Sequence, residues 1–314
     1  RCKSGARRKG FPRFKSRKRG IGSFRLTGAI AVSDSYITLP RISPIRLKER
    51  GYLPTSGARI LSATASERAG RWFVSIQAEV ADLPRACDGV PLGIDVGILH
   101  LATLDDGSVF ENPRALRTAE RKLVRLQRAV SRKKKRSANR RKAVARLARQ
   151  HYRIACIRKD SISKATSTVI AKQPSVIGIE SLNISGMLGN HKLARAVADA
   201  SMSEFLRQIR YKAAWHGIRI VEAPKFFPSS KTCSNCGHVK PELSLSEREY
   251  KCGSCGLAIG RDRNAAINLK NLAASSAVNA CGAESADVTR KSDVKLSARK
   301  QEPNTFARTY VLKR

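Results

Sequence analysis

The sequence has few acidic residues, few aromatic residues and no long apolar run. Asp and Glu number 24 against 62 Lys and Arg, which gives a formal net charge of +38 at pH 7. Such an excess of positive charge favours polyanionic partners, of which nucleic acid is the first to consider. No stretch approaches the ~20 apolar residues of a transmembrane helix, and no amphipathic helix has an aromatic face, so no membrane partner is expected. A basic N-terminus without an apolar core also argues against a secretory signal.

Half of the eight cysteines show metal-binding spacing. The stretch "CSNCGHVKPELSLSEREYKCGSC" places Cys233, Cys236, Cys252 and Cys255 as two C-x2-C pairs with fifteen residues between them. Four thiolates complete the tetrahedral sphere of a structural zinc ion, which suits a reducing cytosol better than disulfides do. A redox pair is the alternative. We interpret His238 as a surface or nucleic-acid contact, because four cysteines already suffice. The other cysteines show no partner spacing and are interpreted as ordinary thiols: Cys2, Cys87, Cys156 and Cys281.

Within the first ninety residues, a basic arm is followed by segments with the alternating pattern of β-strands. Residues 1–22 are basic, rich in glycine and interleaved with Phe11 and Phe14, which suits either a flexible arm or a segment that follows a phosphate backbone. From Ser23 to Val80, runs such as "RWFVSIQAEV" alternate with period two, which predicts antiparallel strands in a small barrel or sandwich. The stretch "ADLPRACDGVP" then predicts a linker, so the first folded domain is expected at 23–90.

A long helical stretch from Pro113 to about Ala171 follows three predicted strands. Apolar residues recur there at helical spacing, and the pattern predicts two helices joined near Ser137. The middle, "SRKKKRSANRRK", is almost continuous charge and is either a solvated face or a face that contacts nucleic acid. A single helix is predicted over "LARAVADASMSEFLRQIRYKAAWHG" and ends at Gly217. From about Ala273 the chain has no periodicity, so residues 276–314 are expected to be a disordered tail.

Three acids stand at comparable places on the predicted elements. Asp95 interrupts the apolar strand "PLGIDVGILH", Glu180 ends the strand in "PSVIGIESLN", and Asp262 begins the last helix. The predicted order is three strands, helices, a strand, a helix, a strand, an insertion and a helix, which is the order of the RNase H-like fold. The first and fourth strands are neighbours in that fold and the final helix packs across them, so the three acids are expected to converge.

Convergence of acids calls for neutralising cations. Two unpaired carboxylates about 4 Å apart repel by roughly 4 kcal/mol at an effective dielectric constant near 20, which a proton or divalent cations must offset. Oxygen ligands select Mg²⁺ or Mn²⁺, and two such ions can promote phosphodiester hydrolysis. Each acid alone is more often a helix cap or an ion-pair partner. All three in one topology, on a strongly basic chain, favour a metal-dependent nuclease site.

Several motifs resemble the TnpB family, which is encoded by bacterial insertion sequences and related to type V CRISPR effectors. They are "GIDVGILHLATLDDG", "IGIESLNISGMLGNHKLARAVADAS", "FFPSSKTCSNCGHV", "YKCGSCG" and "RDRNAAINL". The likeness runs from about Gly10 to Pro303, including the tail "SSAVNACGAES". Such proteins carry a further segment before "GFPRF", which includes a helical recognition lobe. This segment is expected to be missing from the chain, so binding of guide RNA and target DNA is expected to be weaker.

The resemblance implies a transposon-encoded RNA-guided DNA endonuclease. Its partners would be a guide RNA and target DNA, in the cytoplasm of a bacterium or archaeon close to the nucleoid. Asp95, Glu180 and Asp262 would be the catalytic acids with Mg²⁺ or Mn²⁺, and the four cysteines would hold zinc. The implied domains are a wedge-like barrel at 23–90, a RuvC-like nuclease domain of the RNase H-like α/β class at 91–228 and 259–275, and a zinc ribbon at 229–258. Two alternatives remain open: a non-catalytic nucleic-acid-binding regulator and an inactive truncated relic.

Overall fold

The chain divides into two compact units. The structure is a computed structural model that describes residues 22–51, 58–79, 89–244, 246–282 and 305–312. One unit is Arg1–Asp82 with Leu296–Arg314, and the other is Leu83–Lys295. The basic arm expected at 1–22 lies outside the described residues except for Gly22, as does most of the expected linker. The nuclease elements and the cysteine-containing segment both lie in the second unit.

The first unit is built from two antiparallel sheets around a shared core. Its strands are β1 (Ser23–Leu26), β2 (Ala31–Val32), β3 (Tyr36–Leu39), β4 (Ile42–Arg46), β5 (Arg59–Arg68), β6 (Arg71–Glu79) and, near the C-terminus, a strand that is labelled β14 (Thr305–Leu312). The sheet orders are β1-β5-β6-β14 and β2-β3-β4. Alternate residues of β6, such as Val74 and Ile76, are buried against Ile37 and Leu39 of the other sheet. The period-two pattern thus produces the small mostly-β domain that the sequence predicts.

The strand near the C-terminus corrects part of the expected disordered tail. Thr305–Leu312 pairs antiparallel with β6 from Thr305↔Glu79 to Leu312↔Trp72. The segment "TFARTYVL" is rich in β-branched and aromatic residues, so it can complete an open sheet edge although charged sequence precedes it.

The second unit contains a five-stranded mixed sheet with helices on both faces. Its elements are β7 (Leu92–Asp95), β8 (His100–Leu104), β9 (Val109–Glu111), α1 (Ala115–Ser131), α2 (Ala138–Ala171), β10 (Val176–Ile179), α3 (Ile184–Gly189), α4 (Ala194–Ala200), α5 (Met202–Trp215), β11 (Arg219–Glu222), β12 (Glu249–Lys251), β13 (Ala258–Gly260) and α6 (Arg261–Gly282). The sheet order is β11-β10-β7-β8-β9, so the first strand lies beside the fourth. This arrangement is the RNase H-like order, and it confirms the predicted fold class.

The faces of this sheet are covered by different helices. Ile94 and Ile177 share a core with α2 and α5, to which Val169 and Phe205 contribute. The opposite face is covered by α6, which packs on β7 and β10. Because α6 crosses the two central strands, its first turn comes close to their C-terminal ends.

One helix prediction is wrong and another is confirmed. The single helix predicted before Gly217 is two helices, α4 and α5, because Ser201 adopts a left-handed conformation with φ of 55°. The pair α1 and α2 is confirmed, with Ser137 as N-cap of α2, accepting a hydrogen bond from the Arg140 amide. No helix in the described part of the chain is both long enough and apolar enough to span a bilayer.

Candidate nuclease site and zinc ribbon

Asp95 and Glu180 lie side by side where two parallel strands end. Asp95 is the last residue of β7, and Glu180 follows directly after β10. The parallel register pairs Ile179 with Ile94, so the next residue on each strand is an acid. Because side chains alternate along a strand, both carboxyl groups project from the face of the sheet that α6 covers.

Two glycines let α6 lie directly on these strands. Gly93 and Gly178 are register partners, each two residues before an acid. A Cβ at Gly93 would lie 1.8 Å from the Ala266 carbonyl oxygen, and one at Gly178 would lie 2.1 Å from that of Leu269. Only glycine permits this contact between strand and helix backbones. The close crossing places Asp262, in the first turn of α6, beside the other two acids.

The pKa of Asp95 reflects the proximity of the other two acids. Burial, followed by the charges of Asp262 and Glu180, raises the pKa of Asp95 to about 8, and the charge of Arg261 acts in the opposite direction. Burial also raises the pKa of Glu180. Desolvation and like charges both disfavour the ionised form, so a proton or a cation is needed at this site.

Arg261 is the basic residue of the site, and sequence reasoning did not single it out. Its guanidinium Nε and Nη2 donate to the Asp262 Oδ1 at 3.3 Å each, and its side chain is only 14% exposed. The only sequence signal was its position next to Asp262, which does not distinguish it from the many other arginines.

The three acids are close neighbours but not a tight cluster. Among the residues that the structure describes, only the cysteines form a group of three or more whose ligand atoms all lie within 4.8 Å of one another. The carboxylates therefore stand further apart than the ligands of a closed site. Their chemistry fits a hard divalent cation, since all three offer oxygen and burial penalises their unneutralised charge.

A fourth acid at the same edge points away from this group. Glu222 ends β11, where it pairs in register with Ile179 rather than with Glu180. Alternation therefore directs it to the opposite face, where its Oε1 accepts from Arg210 Nε at 2.9 Å. Strand register thus separates the acids at this edge into a group of three and an ion pair.

An ion pair between Lys270 and Asp105 holds α6 on the sheet near the acids, and sequence reasoning did not predict it. The Lys270 Nζ of α6 donates to the Asp105 Oδ2 at 2.8 Å, and the Gly93 amide donates to the other oxygen at 3.0 Å. The Asp105 side chain is 9% exposed. This carboxylate has two donors and lies two residues beyond Thr103, the register partner of Asp95.

The four predicted cysteines come together as one cluster. Their sulfurs lie within 4.8 Å of one another, and the pairs Cys233–Cys255 and Cys236–Cys252 are each 3.6 Å apart. A Zn–S bond of about 2.3 Å in a tetrahedron requires sulfurs about 3.8 Å apart, so the spacing fits.

Local hydrogen bonds favour the thiolate at two of the four cysteines, Cys255 and Cys252. At Cys236 the His238 amide acts in the same direction, but burial and the neighbouring cysteine sulfurs raise the pKa to about 12. The Leu257 amide, then the Asn235 side chain, lower the pKa of Cys255 to about 6. The amides of Cys255 and Ser254 lower the pKa of Cys252. Thiolates are the form that binds metal, so the donor set suits zinc. His238 is exposed and does not belong to the group of potential ligands, and its backbone carbonyl accepts from the Cys233 amide at 2.8 Å.

Two buried asparagines of α6 attach the ribbon to the nuclease fold. Asn264 Nδ2 donates to the Thr232 carbonyl at 2.7 Å, and its Oδ1 accepts from the Ser234 amide at 3.0 Å. Asn268 Nδ2 donates to the carbonyls of Ser229 and Thr232 at 2.7 Å. Sequence reasoning missed both residues. Two asparagines four residues apart on the same helix face as buried apolar residues were the available signal.

Two family models match the chain. "Probable transposase" matches residues 74–191, and "Cas12f1-like, TNB domain" matches residues 203–269. Together they contain Asp95, Glu180, Asp262 and the four cysteines.

Similar proteins are known in bacteria. A "Putative RNA-guided DNA endonuclease" of Streptomyces pristinaespiralis is 40% identical over 301 residues, covering 95% of this chain and 74% of that protein. The "Putative RNA-guided DNA endonuclease InsQ" of Escherichia coli K12 is 34% identical over 294 residues, covering 88% of this chain and 71% of that protein. A CRISPR-Cas12f chain from a ternary complex solved by cryo-EM matches with a TM-score of 0.45 and 19% identity, covering 68% of this chain and 45% of that chain.

Proposed function

This chain belongs to the TnpB family, and on that premise we propose that it is a transposon-encoded, RNA-guided DNA endonuclease. Its reaction is hydrolysis of phosphodiesters in DNA, and Asp95, Glu180 and Asp262 are its catalytic acids. A guide RNA selects the target by base pairing, while the protein recognises duplex shape and a short flanking motif. Such an enzyme acts in the cytoplasm of a bacterium or archaeon, where its DNA target lies.

The observation that carries this proposal is the position of the three acids. Two of them end neighbouring parallel strands, and the third begins the helix that crosses those strands. The electrostatic effect of Asp262 and Glu180 on Asp95 supports a shared site. Acids scattered over the surface would have no such mutual effect, since exposed charges more than about 10 Å apart are largely screened.

The three carboxylates would hold Mg²⁺ or Mn²⁺. When bound, these ions supply charge neutralisation and an acidified water molecule. The chain contributes a face of the sheet from which Asp95 and Glu180 project together, and a partly buried arginine that fixes Asp262. Because burial and the charges of Asp262 and Glu180 raise the pKa of Asp95 to about 8, a cation competes with a proton for this carboxyl.

The four cysteines would hold a structural zinc ion. Four thiolates leave no open position, so this ion takes no part in hydrolysis. The ion would influence the acids only indirectly, by ordering the ribbon. Asn264 and Asn268 of α6 form hydrogen bonds with the ribbon backbone just before and within the first cysteine pair. Zinc would therefore help to hold the start of α6, where Asp262 lies.

The cationic helical pair is the proposed surface for nucleic acid. The turn between α1 and α2 exposes four consecutive basic residues from Lys133 to Arg136. Exposed α2 residues such as Arg141 and Arg149 extend this surface. Such a surface supplies affinity for a phosphate backbone without selecting a sequence, which is the role left to the protein when base pairing selects the target.

The test is a cleavage assay with matched variants. The full chain, coexpressed with RNA transcribed from its own transposon end, is incubated with Mg²⁺ and a plasmid that carries the matching target. We expect Asp95→Ala to lower cleavage by about a thousandfold or more, as loss of a catalytic group does, without loss of binding. Asp106→Asn, which changes an acid on the turn between β8 and β9, should cleave normally.

Two results would contradict the proposal. Cleavage that survives Asp95→Ala would exclude Asp95 as a catalytic acid. Tight binding of guide and target without any cleavage by the unmodified chain would favour the non-catalytic regulator.

A further inference from the structure

A basic and apolar cavity of about 680 Å³ lies in the second unit beside the acids. The volume falls within the roughly 300–1,000 Å³ range of clefts that hold small organic ligands. Its basic lining consists of Arg114, Arg117, Lys192, Arg195 and Arg248. Its apolar lining includes Ile98, Leu99 and Leu193.

The cavity adjoins the acidic site through two walls. Ile98 is the third residue after Asp95, so at most about 11 Å of extended chain separates their Cα atoms. On the other side, the Arg248 carbonyl accepts from the amide of Arg261, the residue before Asp262, at 2.8 Å. These two short connections place the cavity within reach of a DNA strand that passes the carboxylates.

The acids in the lining do not cancel its positive charge. Glu120 forms an ion pair with Arg195. Both oxygens of Asp199 accept from the Leu116 amide, at 2.9 and 3.1 Å, and one accepts from the Arg117 amide at 3.1 Å. No carboxylate in the described part of the chain forms an ion pair with the four remaining basic residues of the lining, which are Arg114, Arg117, Lys192 and Arg248.

The walls are held in place without a ligand. Asn112 is buried, its Nδ2 donates to the Ile98 carbonyl at 2.7 Å, and its Oδ1 accepts from the Arg114 amide at 3.1 Å. One side chain thus links the loop after β7 to the start of α1. Exposed apolar side chains remain beside the cations, since Leu99 is 38% exposed and Leu193 is 40% exposed.

We propose that this cavity binds one nucleotide of single-stranded DNA next to the scissile phosphate. The four cations contact its phosphate, and Ile98, Leu99 and Leu193 pack against its base. Cations and apolar surface together are what a nucleotide requires and what an inorganic anion does not. The inference deepens the proposed nuclease function and rests on it.

Photo-cross-linking tests this site without requiring cleavage. The full chain is mixed, without magnesium, with a short oligodeoxyuridylate that carries 5-iodouracil, then irradiated, digested and analysed by mass spectrometry. We expect adducts on the peptides that contain Leu99 and Leu193. The double variant Arg114→Gln/Arg117→Gln should lower these adducts by at least about tenfold, since each substitution removes a charged donor to the phosphate.

The matched control removes the same charge from α2. With adducts counted per bound oligonucleotide, Arg141→Gln/Arg149→Gln should leave the cavity adducts within about twofold, although both double variants lower the salt slope of binding by about 0.7 for each phosphate that is no longer neutralised. Leu193→Ser should lower the adducts and leave the salt slope unchanged. In guided cleavage, the cavity pair should raise KM for target DNA more than the α2 pair does.

Each outcome decides the proposal. Absence of adducts at Leu99 and Leu193, an equal loss in both double variants, or preferential adducts with an iodouracil-labelled RNA would overturn it, even if the protein cleaves DNA. Cavity adducts that depend on Arg114 and Arg117, in a chain that cuts no DNA, would keep the nucleotide site and refute the nuclease function.

Discussion

Two groups of candidate metal ligands lie in the second unit, and they are assembled in opposite ways. The cysteine group comes from two short turns, and its sulfurs lie within 4.8 Å of one another. The acidic group comes from two strands and a helix, and its members stand further apart. Each short turn holds its two cysteines together through a backbone hydrogen bond, from the Gly237 amide to the Cys233 carbonyl and from the Gly256 amide to the Cys252 carbonyl. The carboxylates have no such local restraint and repel one another unless a proton or cation offsets their charge. The ribbon therefore resembles a closed structural site, and the acids form an open one that depends on the surrounding fold.

Removing the metal or a thiolate should affect the ribbon most. Cys252→Ser, or a zinc chelator, should unfold residues 229–259, since structural zinc supplies about 10 kcal/mol or more of local folding free energy. Zinc content and limited proteolysis measure the loss. Cys156→Ser changes an exposed thiol outside the cluster and should retain zinc and resist protease. Full zinc content in Cys252→Ser would show that the cluster is not the binding site.

A methyl group between strand and helix should disrupt the acidic group. Gly93→Ala should lower the free energy of unfolding by about 3 kcal/mol, because the new Cβ cannot lie 1.8 Å from the Ala266 oxygen and α6 must move. Urea unfolding measures this change. The control is Gly189→Ala at the end of α3, where nothing lies within 4 Å, and its stability should be unchanged. Equal stability of the two variants would contradict the close crossing.

The pH dependence of stability distinguishes the acidic group from ordinary acids. The pKa of Asp95 is raised from 3.8 to about 8 by burial and its acidic neighbours, so its stabilising contribution is complete below pH 4 and lost as the pH rises through 8. Magnesium-free protein should thus lose a few kcal/mol between pH 4 and pH 8, at about 1.4 kcal/mol per pKa unit. Asp95→Asn should reduce this slope and raise Tm at pH 8, and the part that remains comes from Glu180, whose pKa is raised by its own burial.

Asp106→Asn is the control with the opposite sign. Burial acts against ionisation there, but hydrogen bonds from Lys172 and Ser108 lower the pKa of Asp106 to about 2. Its contribution is present above pH 4 and lost only as the pH falls through 2, so the slope between pH 4 and pH 8 should remain in this variant. A slope as steep in Asp95→Asn as in the unmodified protein would refute the raised pKa of Asp95 and its electrostatic coupling to the other acids.

The smallest predicted loss of stability comes from a change at Asp199, a buried carboxylate whose two oxygens both accept hydrogen bonds from backbone amides. Asp199 is 5% exposed and caps α1 through the amides of Leu116 and Arg117. Asp199→Asn should cost about 1–2 kcal/mol in thermal unfolding, as the loss of a charged cap does. Asp160→Asn, which breaks only an exposed pair with Lys164, should cost at most about 0.5 kcal/mol. Equal losses of stability in Asp199→Asn and Asp160→Asn would show that Asp199 does not stabilise α1 as a cap.

Much of the fold followed from patterns within short stretches. Alternation predicted the strands of the first unit, and helical spacing predicted α1 and α2. The break at Ser201 was missed because no proline or glycine marks it. The strand at Thr305–Leu312 was missed because its pairing partner β6 lies more than two hundred residues earlier in the chain.

The sequence by itself determined the cysteine set, the excess of positive charge and the position of each acid on its own strand or helix. Each of these depends on residues only a few positions apart, so spacing is sufficient evidence. The tertiary structure alone decided that Gly93 faces Gly178, that Arg261 binds Asp262 beside Asp95, and that Arg114 and Arg248 share a cavity. Those relations depend on which strands pair and how closely a helix crosses them, and the backbone contacts that set them join residues far apart in the chain.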